Sequence, residues 1–322
     1  MSETHPASPP RDYTARLQLF GVLALICGSA SCGLGLLHLL LPRLDVAAGS
    51  LASLWMSAVT YVAVGAVLIW AGIGSLRRKR WVRSVMLVVS GSWLLTGLFG
   101  TLLVVAMLDE LLELALLDLE TPPAGVLTFM RVVLLAACGL VGIALPAAFL
   151  LAYRDPGVFR TCAAANPQPA WTERCPLPVL GFSLGLAAVA LFAIPLSFRP
   201  VVPWFGKLIT GAPGALAMLA FGAVSAALAR WTYRLAPAAW WSSALLLVVV
   251  AASVVLTFNR IEPAEYLRAL GYPEAQLEVL ASSTMASREV TLGTTILLTA
   301  GSLVYMMTIR RHFGGDAATE HA

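Results

Sequence analysis

Eight long apolar runs, separated by short polar segments, dominate the sequence. Each run has around 20 residues, which is the length that an α-helix needs to cross about 30 Å of hydrocarbon. Because backbone groups find no water partners in lipid, helices are the form expected for such runs. The pattern predicts spans over residues 18–41, 52–76, 84–108, 127–153, 177–198, 214–235, 240–258 and 291–309.

Composition supports a membrane location. Of the 322 residues, 59% are hydrophobic and 12% are charged, and the mean hydropathy is +0.84. Soluble domains average about 25% charged residues, so this chain lacks the polar surface that water requires. The predicted fold class is an all-α polytopic membrane protein whose first partner is the lipid bilayer.

Basic residues are unevenly distributed between the two sides of the predicted bundle. The side that holds both termini carries roughly twice as many lysines and arginines as the opposite side, and such a bias marks the cytoplasmic face. We therefore expect both termini in the cytoplasm. Heavy use of Arg, Ala, Leu and Gly, with only Lys79 and Lys207 as lysines, is typical of a GC-rich bacterial genome. This favours a bacterial inner membrane.

The two halves of the chain repeat one order of features. A shift of about 160 residues brings the first four spans onto the last four, with Gly21 meeting Gly181 and Trp81 meeting Trp241. Four spans per half predicts a parallel 4+4 internal repeat about an axis along the membrane normal. The predicted organisation is a polar cytoplasmic tail (1–16), a first membrane half (17–153), a cytoplasmic linker (154–176), a second membrane half (177–311) and a polar cytoplasmic tail (312–322).

The linker is too rich in proline to form one helix, since prolines occupy positions 156, 167, 169 and 176. It is expected to be either a mobile connector or a docking surface. Cys162 and Cys175 lie in it without a nearby histidine. Neither a metal site nor a disulfide framework is indicated, and no role for these two thiols follows from the sequence.

A tight basic cluster precedes the third span. The simplest role of this cluster is to hold the loop in the cytoplasm. A more specific role is contact with anionic lipid headgroups, which would contribute about 1 kcal/mol of binding free energy per basic residue. Nucleic acid would require a larger basic surface, so it is not expected as a partner. The candidate lipid-contact residues are Arg77, Arg78, Lys79, Arg80 and Arg83.

The spans contain almost no ionisable residues and many small ones. Small residues at four-residue spacing, such as Gly28 with Cys32 and Gly222 with Ala226, let helix backbones approach closely. Hydroxyl groups in the second and third spans are the candidates for a path between the halves. They are Ser57, Thr60, Tyr61, Ser90, Ser92 and Thr96.

Two acidic segments on the far side of the membrane predict amphipathic surface helices. The first covers Asp109–Glu120. In the second, Pro263 opens a helix that Gly271 closes, and Pro273 opens another through Leu280.

No nucleotide-binding, metalloprotease or hydrolase motif is present in a supporting context, and no catalytic residue, cofactor or metal is predicted. The leading hypothesis is a non-catalytic scaffold or accessory subunit that packs against other membrane proteins or against itself. The alternative is a transporter or lipid-handling protein with a path between the two halves.

Overall fold

The computed structural model describes residues 12–40, 51–109, 112, 124–274, 277–278 and 287–314. Within these residues, eight helices are long and apolar enough to cross a membrane. Four precede the linker and four follow it, as the hydrophobic pattern predicts. The fold is that of a multi-pass, predominantly helical membrane protein.

The first half contains four spans, of which the fourth is built from three consecutive pieces. Its elements are α1 (Thr14–Leu40), α2 (Leu51–Leu76), α3 (Trp81–Ala106), α4 (Ala124–Ala137), a π-helical segment (Cys138–Ala144) and α5 (Leu145–Arg154).

The linker and the second half follow without a long gap. Their elements are α6 (Pro156–Ala165), a 3-10 turn (Trp171–Glu173), α7 (Leu177–Leu196), β1 (Val201–Trp204), β2 (Lys207–Thr210), α8 (Gly211–Tyr233), α9 (Pro237–Phe258), α10 (Pro263–Ala269), α11 (Arg288–Ile309) and a final 3-10 turn (Arg310–His312).

Several spanning helices begin about three residues before the apolar runs that predicted them, because polar capping residues and prolines set their starts. Ser287 caps α11, where its hydroxyl accepts a hydrogen bond from the Val290 N–H. Pro237 occupies the first position of α9, where a missing N–H costs nothing. The apolar run therefore marks the lipid-embedded part of each helix and underestimates its length.

The π-helical segment widens the fourth span just before Pro146. A proline ring clashes with the carbonyl four residues earlier and cannot donate a hydrogen bond. The chain accommodates this with a wider turn, in which the Leu145 N–H donates to the Leu140 carbonyl. The same segment brings the Gly142 carbonyl against Gly97 of α3.

A two-stranded hairpin departs from the all-α prediction. β1 and β2 pair antiparallel from Val201 opposite Thr210 to Trp204 opposite Lys207. The turn residues Phe205 and Gly206 have φ values of 44° and 97°, as in a type I′ turn. Such turns usually carry Asn or Asp followed by Gly. Because Phe205 occupies the first of these positions, the sequence lacks the usual indication of a hairpin.

The spans pack in pairs of neighbours along the chain. α1 packs along α2 and α7 along α8, while α3 packs on the fourth span and α9 on α11. Glycines allow the closest approach: a Cβ on Gly28 would lie 2.8 Å from the Gly65 carbonyl oxygen, and one on Gly35 would lie 2.9 Å from the Ala58 oxygen. Small residues thus replace the hydrophobic effect as the basis of packing in lipid.

Two separate buried clusters form, one in each half. The first includes Phe149 and Tyr153 of α5, and the second includes Trp240 of α9 and Met306 of α11. Each half therefore has its own packed centre.

The predicted surface helices are described only in part. α10 confirms the helix opened by Pro263, and it ends at Gly271, whose φ of 88° suits a glycine terminator. The helix predicted over 109–120 lies outside the described residues except for Asp109 and Leu112. The helix predicted from Pro273 through Leu280 is likewise only partly described.

Candidate functional site

The linker, two tight turns and the start of α1 meet at one end of the bundle, which we call the linker end. The turns connect α2 to α3 at 77–80 and α8 to α9 at 234–236. Both contain a non-glycine residue in the left-handed region, Arg78 at φ 50° and Leu235 at φ 57°. Each turn closes with the paired hydrogen bonds of a Schellman motif.

Arg80 ties the first turn to the linker. Its Nε donates to Glu173 Oε1 at 2.8 Å and its Nη2 donates to Glu173 Oε2, forming a bidentate ion pair. Its Nη1 donates to the Pro167 carbonyl at 2.8 Å, and its guanidinium lies 5.3 Å from the centre of the Phe159 ring. The Arg80 side chain is only 13% exposed, so this contact is largely shielded from solvent.

Two more basic residues of the cluster also bond to the linker or to its entry. Arg83 Nε donates to the Tyr153 carbonyl at 3.2 Å, and its guanidinium lies 5.8 Å from the Phe159 ring centre. Lys79 Nζ donates to Asn166 Oδ1 at 3.3 Å, and Asn166 Nδ2 donates back to the carbonyl of the strained Arg78.

The five candidate lipid-contact residues therefore divide by environment. Arg80 and Arg83 are engaged by protein groups, Lys79 is exposed but bonded to Asn166, and Arg77 and Arg78 are exposed. The sequence identified the cluster, but it carried no signal for the pairing with the linker, because Arg80 and Glu173 are 93 residues apart.

The linker contacts both halves of the bundle. Cys162 of α6 belongs to the buried cluster of the first half, and Cys175 belongs to that of the second. Burial raises the pKa of both thiols to about 11, which favours the protonated and less nucleophilic form at neutral pH. Both side chains pack in these clusters.

The start of α1 also holds the linker. Arg16 Nη1 donates to Asp155 Oδ2 at 3.1 Å, and the Tyr13 N–H donates to Thr161 Oγ1 at 3.3 Å. Asp155 caps α6 by accepting from the Gly157 N–H at 2.8 Å. That bond, aided by Arg16, lowers the pKa of the Asp155 carboxyl, so the cap stays ionised at neutral pH.

The six candidate path hydroxyls have different surroundings. Ser90 is buried and Ser57 half-buried, while Thr60, Tyr61, Ser92 and Thr96 are exposed on the bundle. Three of them donate to a carbonyl of their own helix four residues earlier: Thr60 to Met56, Ser90 to Met86 and Ser92 to Val88.

The opposite end of the bundle is closed by the hairpin, and we call it the hairpin end. The hydroxyls of Ser253 and Thr257 on α9 accept hydrogen bonds from the backbone N–H groups of Phe205 and Gly206 at 3.0 and 3.1 Å. Ser253 also donates to the Pro203 carbonyl at 2.9 Å. In the sequence, Ser253 and Thr257 are two polar residues within an apolar run, and nothing there indicates that they bind the hairpin.

Among the described residues, no three His, Cys, Asp or Glu side chains come together where they could hold a metal ion. The arrangement as a whole is one of packing and anchoring contacts, and it defines a multi-pass membrane bundle with a docked linker. The chain matches no family model, no curated protein and no solved structure.

Proposed function

We propose that the chain is a non-catalytic scaffold or accessory subunit of a membrane complex, which binds other membrane helices through open faces of its third, fourth and eighth spans. The observation that carries this proposal is that these three spans are the least covered and also carry open glycines, which occur only singly in better covered spans, as at Gly33 and Gly185. In these three spans, a Cβ added at the following glycines would meet no atom within 4 Å: Gly91, Gly100, Gly125, Gly139, Gly293 and Gly301.

Open glycines favour a helix partner over lipid alone. A glycine inside a helix costs about 1 kcal/mol relative to alanine, and its use in membranes is close approach between backbones. Within this bundle, Gly28 and Gly65 allow such a close approach between α1 and α2. The same three spans are also the least covered, with 6%, 11% and 11% of their apolar windows buried against 22–28% for the other five.

The transporter alternative draws on the six hydroxyls of the second and third spans. Three of these are already satisfied by carbonyls of their own helices, and the spans bring almost no ionisable group into the hydrocarbon, where coupled transporters usually place one. The geometry therefore favours the scaffold.

The proposal includes a parallel 4+4 repeat of the two halves. Phe20, Phe149 and Tyr153 meet in the first buried cluster. At an offset of 160 residues, Leu180, Ile309 and Phe313 belong to the second cluster. The Schellman turns at Arg78 and Leu235 occupy equivalent places between the second and third spans of each half. These matches support an ancestral duplication.

The proposal also places the linker end, with both termini, in the cytoplasm of a bacterial cell. Its support is the excess of Lys and Arg at this end. Arg77 and Arg78, which are exposed, are the members of the basic cluster best placed to reach anionic headgroups there, whereas Lys79 donates to Asn166.

Replacing Gly301 by Leu tests the scaffold proposal. A Cβ at Gly301 would meet no atom of the bundle within 4 Å, so we expect the fold to survive while the larger side chain displaces the partner helix. We expect the wild-type chain, extracted from native membranes in a mild detergent, to have a native mass well above its own 34.1 kDa. The Gly301→Leu variant should fall to the mass of the single chain.

Gly33→Leu is the matched control, because Gly33 is equally open but lies on α1, a better covered span with 22% of its apolar window buried. It should leave the assembly intact. The proposal is contradicted if the wild-type chain has a native mass of 34.1 kDa, or if Gly301→Leu leaves the mass of the assembly unchanged.

A further inference from the structure

An open groove of about 320 Å³ lies between α7 and α8 at the linker end. Leu184, which is half-buried, forms its accessible apolar wall over the buried Leu180, and the rings of Trp171 and Tyr233 border it. The two rings are held together, since the Tyr233 hydroxyl donates to the Trp171 carbonyl at 2.7 Å. The groove thus has a fixed aromatic rim beside an apolar wall.

Arg230 supplies the only charge among the residues that line this groove. It is exposed, and within the described residues its guanidinium has no hydrogen-bond or ion-pair partner. The sequence contains no Asp or Glu between Glu173 and Glu262, and Glu173 is already occupied by Arg80. Among the described residues, therefore, no carboxylate is paired with Arg230, and the charge that lines the groove is positive.

We propose that this groove binds an anionic phospholipid, with the headgroup phosphate on Arg230 and the upper part of an acyl chain against Leu184. A guanidinium presents paired donors that match phosphate oxygens. Trp and Tyr characteristically lie at headgroup depth, and Arg230 is in the last turn of the spanning helix α8. The apolar wall distinguishes a lipid from free phosphate. The inference is independent of the scaffold proposal.

The test compares lipid retention by the full chain with Arg230→Gln and with its matched control Arg234→Gln. Arg234 follows one turn later and is exposed, but it does not line the groove. Each protein is incubated with equal amounts of phosphatidylglycerol and phosphatidylcholine, and bound lipid is counted by native mass spectrometry. We expect Arg230→Gln to lower the phosphatidylglycerol preference about fivefold, which corresponds to about 1 kcal/mol for one charge.

The control variants separate this site from a general surface charge. Arg234→Gln should keep the wild-type preference, Arg230→Lys should retain most of it, and millimolar inorganic phosphate should not displace the lipid. All variants should keep the wild-type unfolding midpoint, because Arg230 has no partner to lose. The inference is overturned if Arg230→Gln and Arg234→Gln lose the phosphatidylglycerol preference equally, or if neither loses it. Full displacement of the lipid by phosphate would also overturn it.

Discussion

Replacing Gly97 by Ala will strongly destabilise the packing of the third span on the fourth. An alanine Cβ at this position would clash with the Gly142 carbonyl oxygen. The obstacle is backbone inside the π-helical segment, which cannot rotate away as a side chain can. Overpacking of this kind costs about 1–3 kcal/mol and occasionally more, and we expect about 3 kcal/mol here. The measurement is the midpoint of unfolding of the purified protein in detergent.

Gly100→Ala is the matched control for this prediction. Gly100 lies three residues along the same helix, and a Cβ there would meet nothing within 4 Å. Its replacement should leave the midpoint unchanged or raise it slightly, because alanine is the better helix former. Equal midpoints for the two variants would mean that α3 does not approach the π-helical segment closely.

Replacing Glu173 by Gln will release the linker from the first turn. Arg80 would lose its counter-charge while its side chain stays 13% exposed, which leaves a poorly solvated cation among neutral acceptors such as the Pro167 carbonyl. Hydrogen bonds to charged groups contribute about 1.5–3 kcal/mol, and we expect a loss of about 2–3 kcal/mol. Unfolding midpoints should fall, and limited proteolysis should cut more rapidly between residues 165 and 176.

Glu274→Gln provides the comparison. Glu274 forms the same kind of two-bond pair with Arg268, but these side chains are 68% and 57% exposed, and exposed pairs add little to stability. Its replacement should change neither readout. If the two variants behave alike, the pair between Arg80 and Glu173 does not hold the linker.

The spans could be predicted from the sequence because lipid imposes length and apolarity on every crossing helix. Their contacts could not, as Gly97 and Gly100 show. The two glycines lie on one helix in similar sequence surroundings, yet one touches a carbonyl and the other faces outward. Only the rotation of α3 against its neighbour, set by long-range packing, separates them.

The docking of the linker could not be predicted from the sequence either. Its prolines correctly predicted a broken segment, and α6 with the 3-10 turn confirms it. The partners that fix it are distant in sequence: Arg80 for Glu173, and Arg16 for Asp155. Such pairings depend on how the halves fold and not on local pattern. The hairpin was missed for a local reason, the unusual Phe205 in its turn.

The central claim is that the open faces of the third, fourth and eighth spans bind other membrane helices, and site-specific photocrosslinking in native membranes tests it most directly. A photoreactive residue at Leu297, which is 68% exposed, lies one turn from both Gly293 and Gly301 on α11. The matched position is Leu245, which is 66% exposed on α9, a helix without glycine. A discrete protein adduct from position 297, and none from 245, is the predicted result. Lipid adducts alone at both positions, or the same protein adducts at both, would contradict the account.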